Sequence, residues 1–183
     1  KLKNYIQLMN KIYVIYNSKN ENRIGHFKVE LIEAIAPKYF GDKNKILGLN
    51  SLSSLLKIVL PENQYYKKIY ESLNNLLILF KEKSWIYYYL NWELNLINDL
   101  GYGFDLNDEK DKRSEFNNAL KIKIDNFDYI VPKFLISKTR DNINLKDLHM
   151  GLNFSRSLME NKFFIPNNIK FPYSRRLLEN KFL

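Results

Sequence analysis

The sequence predicts an α+β protein in which two strands are followed by a mainly helical domain. Three observations predict this architecture. Apolar residues alternate with a period of two near the N-terminus, they recur with a period of 3.6 from about residue 42, and a second alternating stretch interrupts the helical segments. The 183 residues suffice for one ordinary domain, and 27 aromatic side chains (2 Trp, 13 Tyr and 12 Phe) provide material for a packed core.

The first two elements are expected to be strands, at residues 4–16 and 24–35, joined by a polar loop at 17–22. Between Phe27 and Leu31 the second strand alternates apolar and charged side chains, which is typical of a half-buried strand. Because two strands alone do not form a stable sheet, further strands are expected upstream. The chain starts at Lys1 without Met, so we expect an N-terminal segment to be missing.

Three helices with short connections are expected next, and short connections favour antiparallel packing as a bundle. The first begins near Asp42 and ends before Pro61, and the second begins near Glu62. The third, from Trp85 to Leu100, carries both tryptophans and is the expected spine of the core. Gly101 follows the last apolar position of this helix, where a left-handed C-cap is predicted.

The rest of the chain is expected to contain a solvated loop, a hairpin and two more helices. Residues 107–118 are polar, and an edge hairpin is predicted within 120–136, since Leu120, Ile122 and Ile124 alternate with lysines. The fourth helix is expected at 145–161. The last is expected at 173–182, where Pro172 stands at the helix start.

One charged residue, Glu93, interrupts the apolar face of the third helix. A buried carboxylate without a partner costs several kcal/mol, so Glu93 is expected to meet an Arg or Lys or to accept backbone N–H bonds. A catalytic role is the alternative, although no companion acid or base lies at helical spacing beside it. We assign structural roles to four residues of this region: Trp92, Glu93, Gly101 and Gly103.

Enzyme chemistry finds little support in the sequence. His26 and His149 lie apart from any patterned carboxylate, and the acids between residues 105 and 111 lack the spacing of a calcium loop. The absence of cysteine excludes disulfides, thiolate metal sites and cysteine nucleophiles. We therefore expect a non-enzymatic protein without metal or cofactor. No membrane span or signal peptide is apparent, so the expected location is the cytoplasm.

The net charge of +9 is concentrated at the two ends of the chain. Residues 1–40 hold 7 Lys and Arg against 3 acids, and residues 151–183 hold 6 against 2, whereas residues 41–150 are almost neutral with 16 against 15. If the ends meet in space, they form one basic surface whose natural partner is a polyanion. A generic basic surface is the alternative interpretation.

Aromatic residues accompany these terminal cations, as Tyr5, Tyr13 and Tyr16 do in the first segment. Single-stranded nucleic acids favour such a mixture, because cations follow the phosphates while rings stack on bases. A protein-binding scaffold and an RNA-binding module remain alternative functions. The residues expected to bind DNA are Lys11, Lys19, Arg23, Lys28, Arg156, Lys170, Arg175 and Arg176.

Several motifs, in order along nearly the whole chain, resemble the RecO family of bacterial recombination mediators. Leu60–Leu77 is similar to the family's Leu-Pro-Glu step and following helix, and Arg23–Glu30 resembles a strand of its N-terminal barrel. Trp92-Glu93-Leu94 with Leu100–Gly103 resembles the family signature that ends in Gly-Tyr-Gly. Three further segments match in the same way: Asp105-Leu106, Asp128–Lys133 and Pro172–Leu177.

The resemblance implies the C-terminal part of an OB-fold at residues 1–38 and a helical domain at 39–183. It implies a cytoplasmic, nucleoid-associated protein of DNA repair that binds single- and double-stranded DNA, anneals complementary strands and helps to load recombinase. The implied partners are RecR and the C-terminal tail of single-stranded DNA-binding protein. Many family members carry a four-cysteine zinc site after the Gly-Tyr-Gly segment; residues 107–118 contain no cysteine, so no zinc is carried over.

Overall fold

A computed structural model describes residues 5–20, 24–104, 106, 114–116, 119–140 and 143–183, and for 114–116 the backbone alone. The chain is α+β. The strands are β1 (Lys11–Asn17), β2 (His26–Glu33), β3 (Ser114–Phe116), β4 (Ala119–Ile124) and β5 (Phe127–Pro132). The α-helices are α1 (Lys43–Val59), α2 (Lys67–Leu79), α3 (Trp85–Asp99), α4 (Lys133–Ser137), α5 (Leu145–Met159) and α6 (Tyr173–Glu179). Shorter helical turns are 3₁₀ at Ala36–Tyr39 and Asn180–Phe182 and π at Glu160–Phe164.

The described strands form two separate antiparallel sheets, β1-β2 and β3-β4-β5. Neither sheet closes on itself, so the OB-fold barrel implied by the resemblance is not seen among the described strands. The two described sheets contain two and three strands, and a barrel closes only when each edge strand pairs with another strand. How the chain divides into domains at residue 38 stays a prediction.

Several element boundaries differ from those predicted. Helix α2 begins at Lys67 rather than near Glu62, since Asn63 has a left-handed φ of 59° that a helix cannot include. Strand β5 stops at Pro132, and the short helix α4 replaces its predicted continuation. Residues 114–116 form strand β3 within a stretch predicted to be loop, while the rest of 107–118 lies outside the described residues.

Helix α3 is the spine of the core, as its pattern of apolar residues predicts. Ten of its residues are buried, and its N-terminal Trp85 ring lies 4.7 Å from the Phe80 ring and 6.5 Å from that of Phe182. Helix α2 packs on α3, α1 packs on α6, and α5 contacts both α3 and β5. The predicted C-cap is confirmed, because Gly101 has a φ of +88°.

A buried charge network crosses the centre of this core. The Arg175 guanidinium of α6 donates from Nε to Glu93 Oε1 at 2.6 Å and from Nη2 to Glu93 Oε2 at 3.0 Å, and both side chains are fully buried. Tyr89 Oη and Ser155 Oγ donate to the same carboxylate, each at 2.6 Å. The expectation that Glu93 meets a cation is thus confirmed, and the carboxylate joins α3, α5 and α6.

The network extends to α1 and to a backbone carbonyl. Tyr89 Oη lies 2.7 Å from Ser51 Oγ of α1, and Arg175 Nη2 donates to the carbonyl of Leu152 at 2.9 Å. Burial lowers the pKa of Arg175, but the charge and hydrogen bonds of Glu93, together with the charges of Tyr89 and Glu179, raise this pKa above its ordinary value overall. Burial, followed by the charge of Glu93, raises the pKa of Tyr89 well above its ordinary value. Tyr89 therefore remains a neutral donor near pH 7.

Candidate nucleic-acid interface

The β1-β2 hairpin has two chemically different faces. Directly opposed residues of an antiparallel pair lie on the same side of the sheet, and the register pairs Val14 with Val29 and Ile15 with Lys28. A register shift lies between Lys11 and Ile12, so Lys11 is paired with Glu33 and does not continue the alternation. The face called here the cationic face carries Tyr13, Ile15, Asn17, His26, Lys28 and Glu30, and Lys11 lies at the bulge where this face ends. The other, called the apolar face, carries Ile12, Val14, Tyr16, Phe27, Val29 and Leu31.

Two predicted DNA-binding lysines lie on the hairpin that also exposes the ring of Tyr13, with Lys28 on the cationic face and Lys11 at the bulge. Lys11 and Lys28 are exposed, and the Tyr13 side chain is 54% exposed. Lys28 Nζ lies 3.1 Å from Glu30 Oε1 on the same face. This pair is mostly solvated, and exposed ion pairs contribute little, so it leaves the Lys28 ammonium accessible to a phosphate.

Tyr16, expected to accompany these lysines, lies on the apolar face instead. Its ring centroid is 5.1 Å from that of Phe27, and its hydroxyl accepts a hydrogen bond from the Gly25 backbone N–H at 3.0 Å. The ring is therefore engaged in holding the end of the hairpin. Lys19 is exposed in the loop, whereas Arg23 lies outside the described residues.

At the other end of the chain, Lys170 and Arg176 line a cleft of about 540 Å³ together with the exposed ring of Tyr173. Arg176 Nη2 lies 3.2 Å from Glu160 Oε1, with the Arg176 side chain 56% exposed. The two cations and the ring can contact a nucleic-acid strand. The prediction that Lys170 and Arg176 bind DNA stays a prediction.

The prediction that Arg175 contacts DNA is wrong, because the structure buries this side chain completely against Glu93. The helical period explains the difference between the adjacent arginines. Successive residues of a helix point about 100° apart, so α6 directs Arg175 into the core and Arg176 to the surface. The signal that could have identified Arg175 as the core partner is the unpaired acid Glu93.

Arg156 is half-buried and engaged by carboxylates. Its Nε lies 3.0 Å from Glu179 Oε2 and its Nη1 lies 2.9 Å from Glu160 Oε2. Burial tends to lower the pKa of Arg156, but the hydrogen bonds and charge of Glu179 raise it overall. The ion pairs of Arg156 therefore connect α5 with α6. The predicted contact of Arg156 with DNA stays a prediction.

The two basic ends lie in different clefts. The cleft at the base of the hairpin includes Lys11, the C-terminal cleft includes Lys170 and Arg176, and the two clefts share no lining residue. The two ends thus provide two clefts lined by cations, and the hypothesis that they form one basic surface stays a prediction. The hairpin cleft also contains Lys38 and Lys81. Neither was among the predicted DNA-binding residues, although Lys38 belongs to the basic first segment; Lys81 lies in the almost neutral middle of the chain.

Neither a metal site nor a membrane helix is found in the part of the chain that the structure describes. No three His, Asp or Glu side chains within the described ranges come together as possible metal ligands. None of the helices described is long and apolar enough to span a membrane.

Comparison with known proteins identifies the family. Residues 41–159 match the family model described as "Recombination protein O C terminal". Curated relatives named DNA repair protein RecO include that of Wolbachia sp. subsp. Drosophila simulans (strain wRi), 26% identical over 94% of this chain and 80% of the relative. The RecO of Wolbachia pipientis wMel is 27% identical over the same shares.

A third relative, the DNA repair protein RecO of Ehrlichia chaffeensis, is 30% identical over 93% of this chain and 65% of its own length. No solved structure matches the chain. The family model covers the whole region from α1 to α5, which holds the spine helix and Glu93. The chain therefore belongs to the RecO family.

Proposed function

We propose that this protein acts in DNA repair and recombination as a non-enzymatic, DNA-binding mediator that works in the cytoplasm at the nucleoid. The relatives' name, DNA repair protein RecO, supports the biological role. One structural observation carries the proposal of direct DNA binding: the hairpin exposes Lys28 and the ring of Tyr13 on its cationic face and Lys11 at the bulge where this face ends. Lysines neutralise phosphates while an exposed ring stacks on a base.

The proposed mechanism uses two cationic patches to bring complementary strands together. One strand binds the cationic face, and a second binds the patch formed by Lys170 and Arg176 with Tyr173. Neutralising phosphates on both strands reduces their mutual repulsion and releases counterions. We propose that this arrangement permits the annealing of complementary strands, and that the loading of recombinase, which the family resemblance implies, uses the same bound DNA.

Salt dependence tests direct DNA binding. Fluorescence anisotropy with a labelled single-stranded oligonucleotide, from 50 to 200 mM salt, should give a log–log slope of about −0.7 for each phosphate contacted. Lys11→Glu/Lys28→Glu should weaken binding and flatten the slope. Lys57→Glu, at an exposed position of α1, is the matched charge control. A flat salt response in the unmodified protein would favour a protein-binding scaffold.

Strand annealing needs its own readout. Lys170→Gln/Arg176→Gln should slow annealing of complementary fluorescent strands while binding of one strand by the hairpin persists. Competition between DNA and RNA oligonucleotides of the same sequence tests the RNA alternative, since preferential displacement by RNA contradicts a DNA mediator. Annealing at an unchanged rate contradicts the proposed role of the C-terminal patch.

We propose two protein partners, RecR and the acidic, apolar-ended tail of single-stranded DNA-binding protein. A cleft of about 480 Å³ between the end of α1 and the start of α2 suits the tail, because its walls are mainly apolar and Lys67 stands at its edge. Leu60 and Ile69 line its floor. A labelled tail peptide should bind the unmodified protein and bind more weakly to Lys67→Glu; equal binding contradicts this placement.

A further inference from the structure

A second cleft, of about 510 Å³, lies where the base of the β1-β2 hairpin meets α2. Its walls are aliphatic, with Ile12 and Ile35 on the hairpin side and Leu73, Leu77 and Ile78 on the α2 side. Small-ligand sites have volumes of this order and combine apolar walls with a few polar groups. The cleft is therefore large enough for a flat organic ring.

Lysine side chains line this cleft. Lys11, Lys38 and Lys81 line it, and Glu33, its one acid, is ion-paired with Lys38. The hydrogen bond from Lys38 lowers the pKa of Glu33, which keeps that carboxylate charged and paired at neutral pH. Three lysines against one acid leave a net positive rim, so the cleft favours an anionic ligand.

The backbone of Lys81 is held in place by a neighbouring lysine of α1. Lys45 Nζ donates to the Lys81 carbonyl at 3.1 Å and lies 5.3 Å from the centroid of the Tyr39 ring. Tyr39 also lines the cleft. The position of Lys81 at the rim is therefore set by contacts between α1 and the end of α2.

Two side chains of α2 can contact a nucleobase, one by ring stacking and the other by hydrogen bonding. The Tyr70 ring is 56% exposed at the cleft, and Asn74, one turn further along the helix, also lines it. Within the described ranges the Asn74 carboxamide makes no side-chain hydrogen bond, so its donor and acceptor groups remain available to a base edge. The ring offers a stacking surface beside this amide.

We propose that this cleft holds one nucleotide of a bound single strand, with the base against Tyr70 and the adjoining phosphates near Lys11 and Lys81. The inference rests on the proposed DNA-binding function and deepens it. Lys11 lines the cleft and lies at the bulge where the cationic face ends, so a strand bound along the hairpin can continue toward the cleft. A base held here is unstacked, which makes the site selective for single strands over duplexes.

Site-specific crosslinking tests the placement directly. An oligothymidylate carrying 5-iodo-deoxyuridine should crosslink on irradiation to a peptide of α2, and mass spectrometry should map the adduct to Tyr70. Tyr70→Ala should weaken single-strand binding about tenfold, as expected for one lost base–aromatic stack, whereas Tyr70→Phe should bind normally. Lys81→Glu should weaken binding and reduce the salt slope by about 0.7, while Lys57→Glu, at an exposed position of α1 that lines none of these clefts, serves as the charge control.

The outcomes separate this inference from the proposed function. If the unmodified protein binds DNA with a steep salt slope but Tyr70→Ala and Lys81→Glu bind equally well, the inference fails and DNA binding stands. If the unmodified protein does not bind DNA, the proposed function itself fails. Crosslinking of this cleft to an acidic peptide in preference to the oligonucleotide also overturns the inference. Circular dichroism of each variant confirms that it folds.

Discussion

Arg175 and Glu93 are 82 positions apart in the chain and form a two-point ion pair inside the core, at 2.6 and 3.0 Å. This pair ties the last α-helix to the spine helix. A buried arginine would be costly without such a partner, and a guanidinium matches a carboxylate at two atoms. The pair therefore makes the docking of α6 specific, because the buried guanidinium is stabilised only where it meets the Glu93 carboxylate.

The two adjacent arginines of α6 are expected to differ sharply in their effect on stability. Arg175→Met should reduce the free energy of unfolding by about 3–5 kcal/mol, because it leaves the Glu93 carboxylate buried without its cation. Arg176→Met, which removes a mostly exposed ion pair with Glu160, should cost less than about 1 kcal/mol. Urea unfolding followed by circular dichroism measures both values. Equal losses would contradict the assignment of Arg175 to the core.

Glu93→Gln should lower stability by about 3 kcal/mol, because it leaves the Arg175 guanidinium buried opposite a neutral amide. Salt-dependent DNA binding measured below the unfolding transition should be unchanged. A larger change in binding than in stability would overturn the structural role of Glu93. In a double-mutant cycle, Glu93→Leu/Arg175→Met should cost less than the two single changes together, since neither charge is then left alone.

The buried hydroxyl of Tyr89 should make the protein sensitive to alkali. Burial raises its pKa in the folded state, so between the unfolded and folded pKa values the folded state binds more protons than the unfolded one. The stabilising contribution is fully present below about pH 10, the pKa of an unfolded tyrosine, and is lost as the pH rises further.

The difference in the free energy of unfolding between Tyr89→Phe and the unmodified protein isolates the effect of Tyr89 ionisation from that of the other tyrosines. At pH 8, Tyr89→Phe should be the less stable of the two, because it removes hydrogen bonds to Glu93 and Ser51. Urea unfolding between pH 8 and 11 should show this difference shrinking above about pH 10. A stability difference that stays constant over this pH range would contradict the proposed link between the ionisation of Tyr89 and folding.

Two glycines offer a matched test of packing between α1 and α3. A Cβ added at Gly48 would lie 2.6 Å from the Trp85 ring and 3.0 Å from that of Phe80, whereas one added at Gly41 would meet nothing within 4 Å. Gly48→Ala should therefore cost about 1–3 kcal/mol through overpacking. Gly41→Ala should change stability by less than about 0.5 kcal/mol. Thermal unfolding of both variants checks the contrast.

Much of the fold follows from local pattern. The period of 3.6 located α1, α3, α5 and α6 to within a few residues, because capping groups and prolines mark their ends in the sequence. Asp42, for example, accepts the N–H groups of Asn44 and Lys45 at the start of α1. The start of α2 was misplaced because the left-handed backbone at Asn63 has no periodic signal.

Sequence patterns alone indicate that Glu93 needs a partner, that the chain ends are basic and that the motifs resemble one family. The packing of α6 selects which cation reaches Glu93, since Arg175 and Arg176 are neighbours with the same charge and differ only in the direction that α6 gives them. The tertiary structure also gathers Lys38, Lys81, Tyr70 and Asn74 into one cleft. Tyr70, Asn74 and Lys81 come from α2 and its C-terminal end, whereas Lys38 comes from the turn after β2, and no local pattern predicts that these two segments meet.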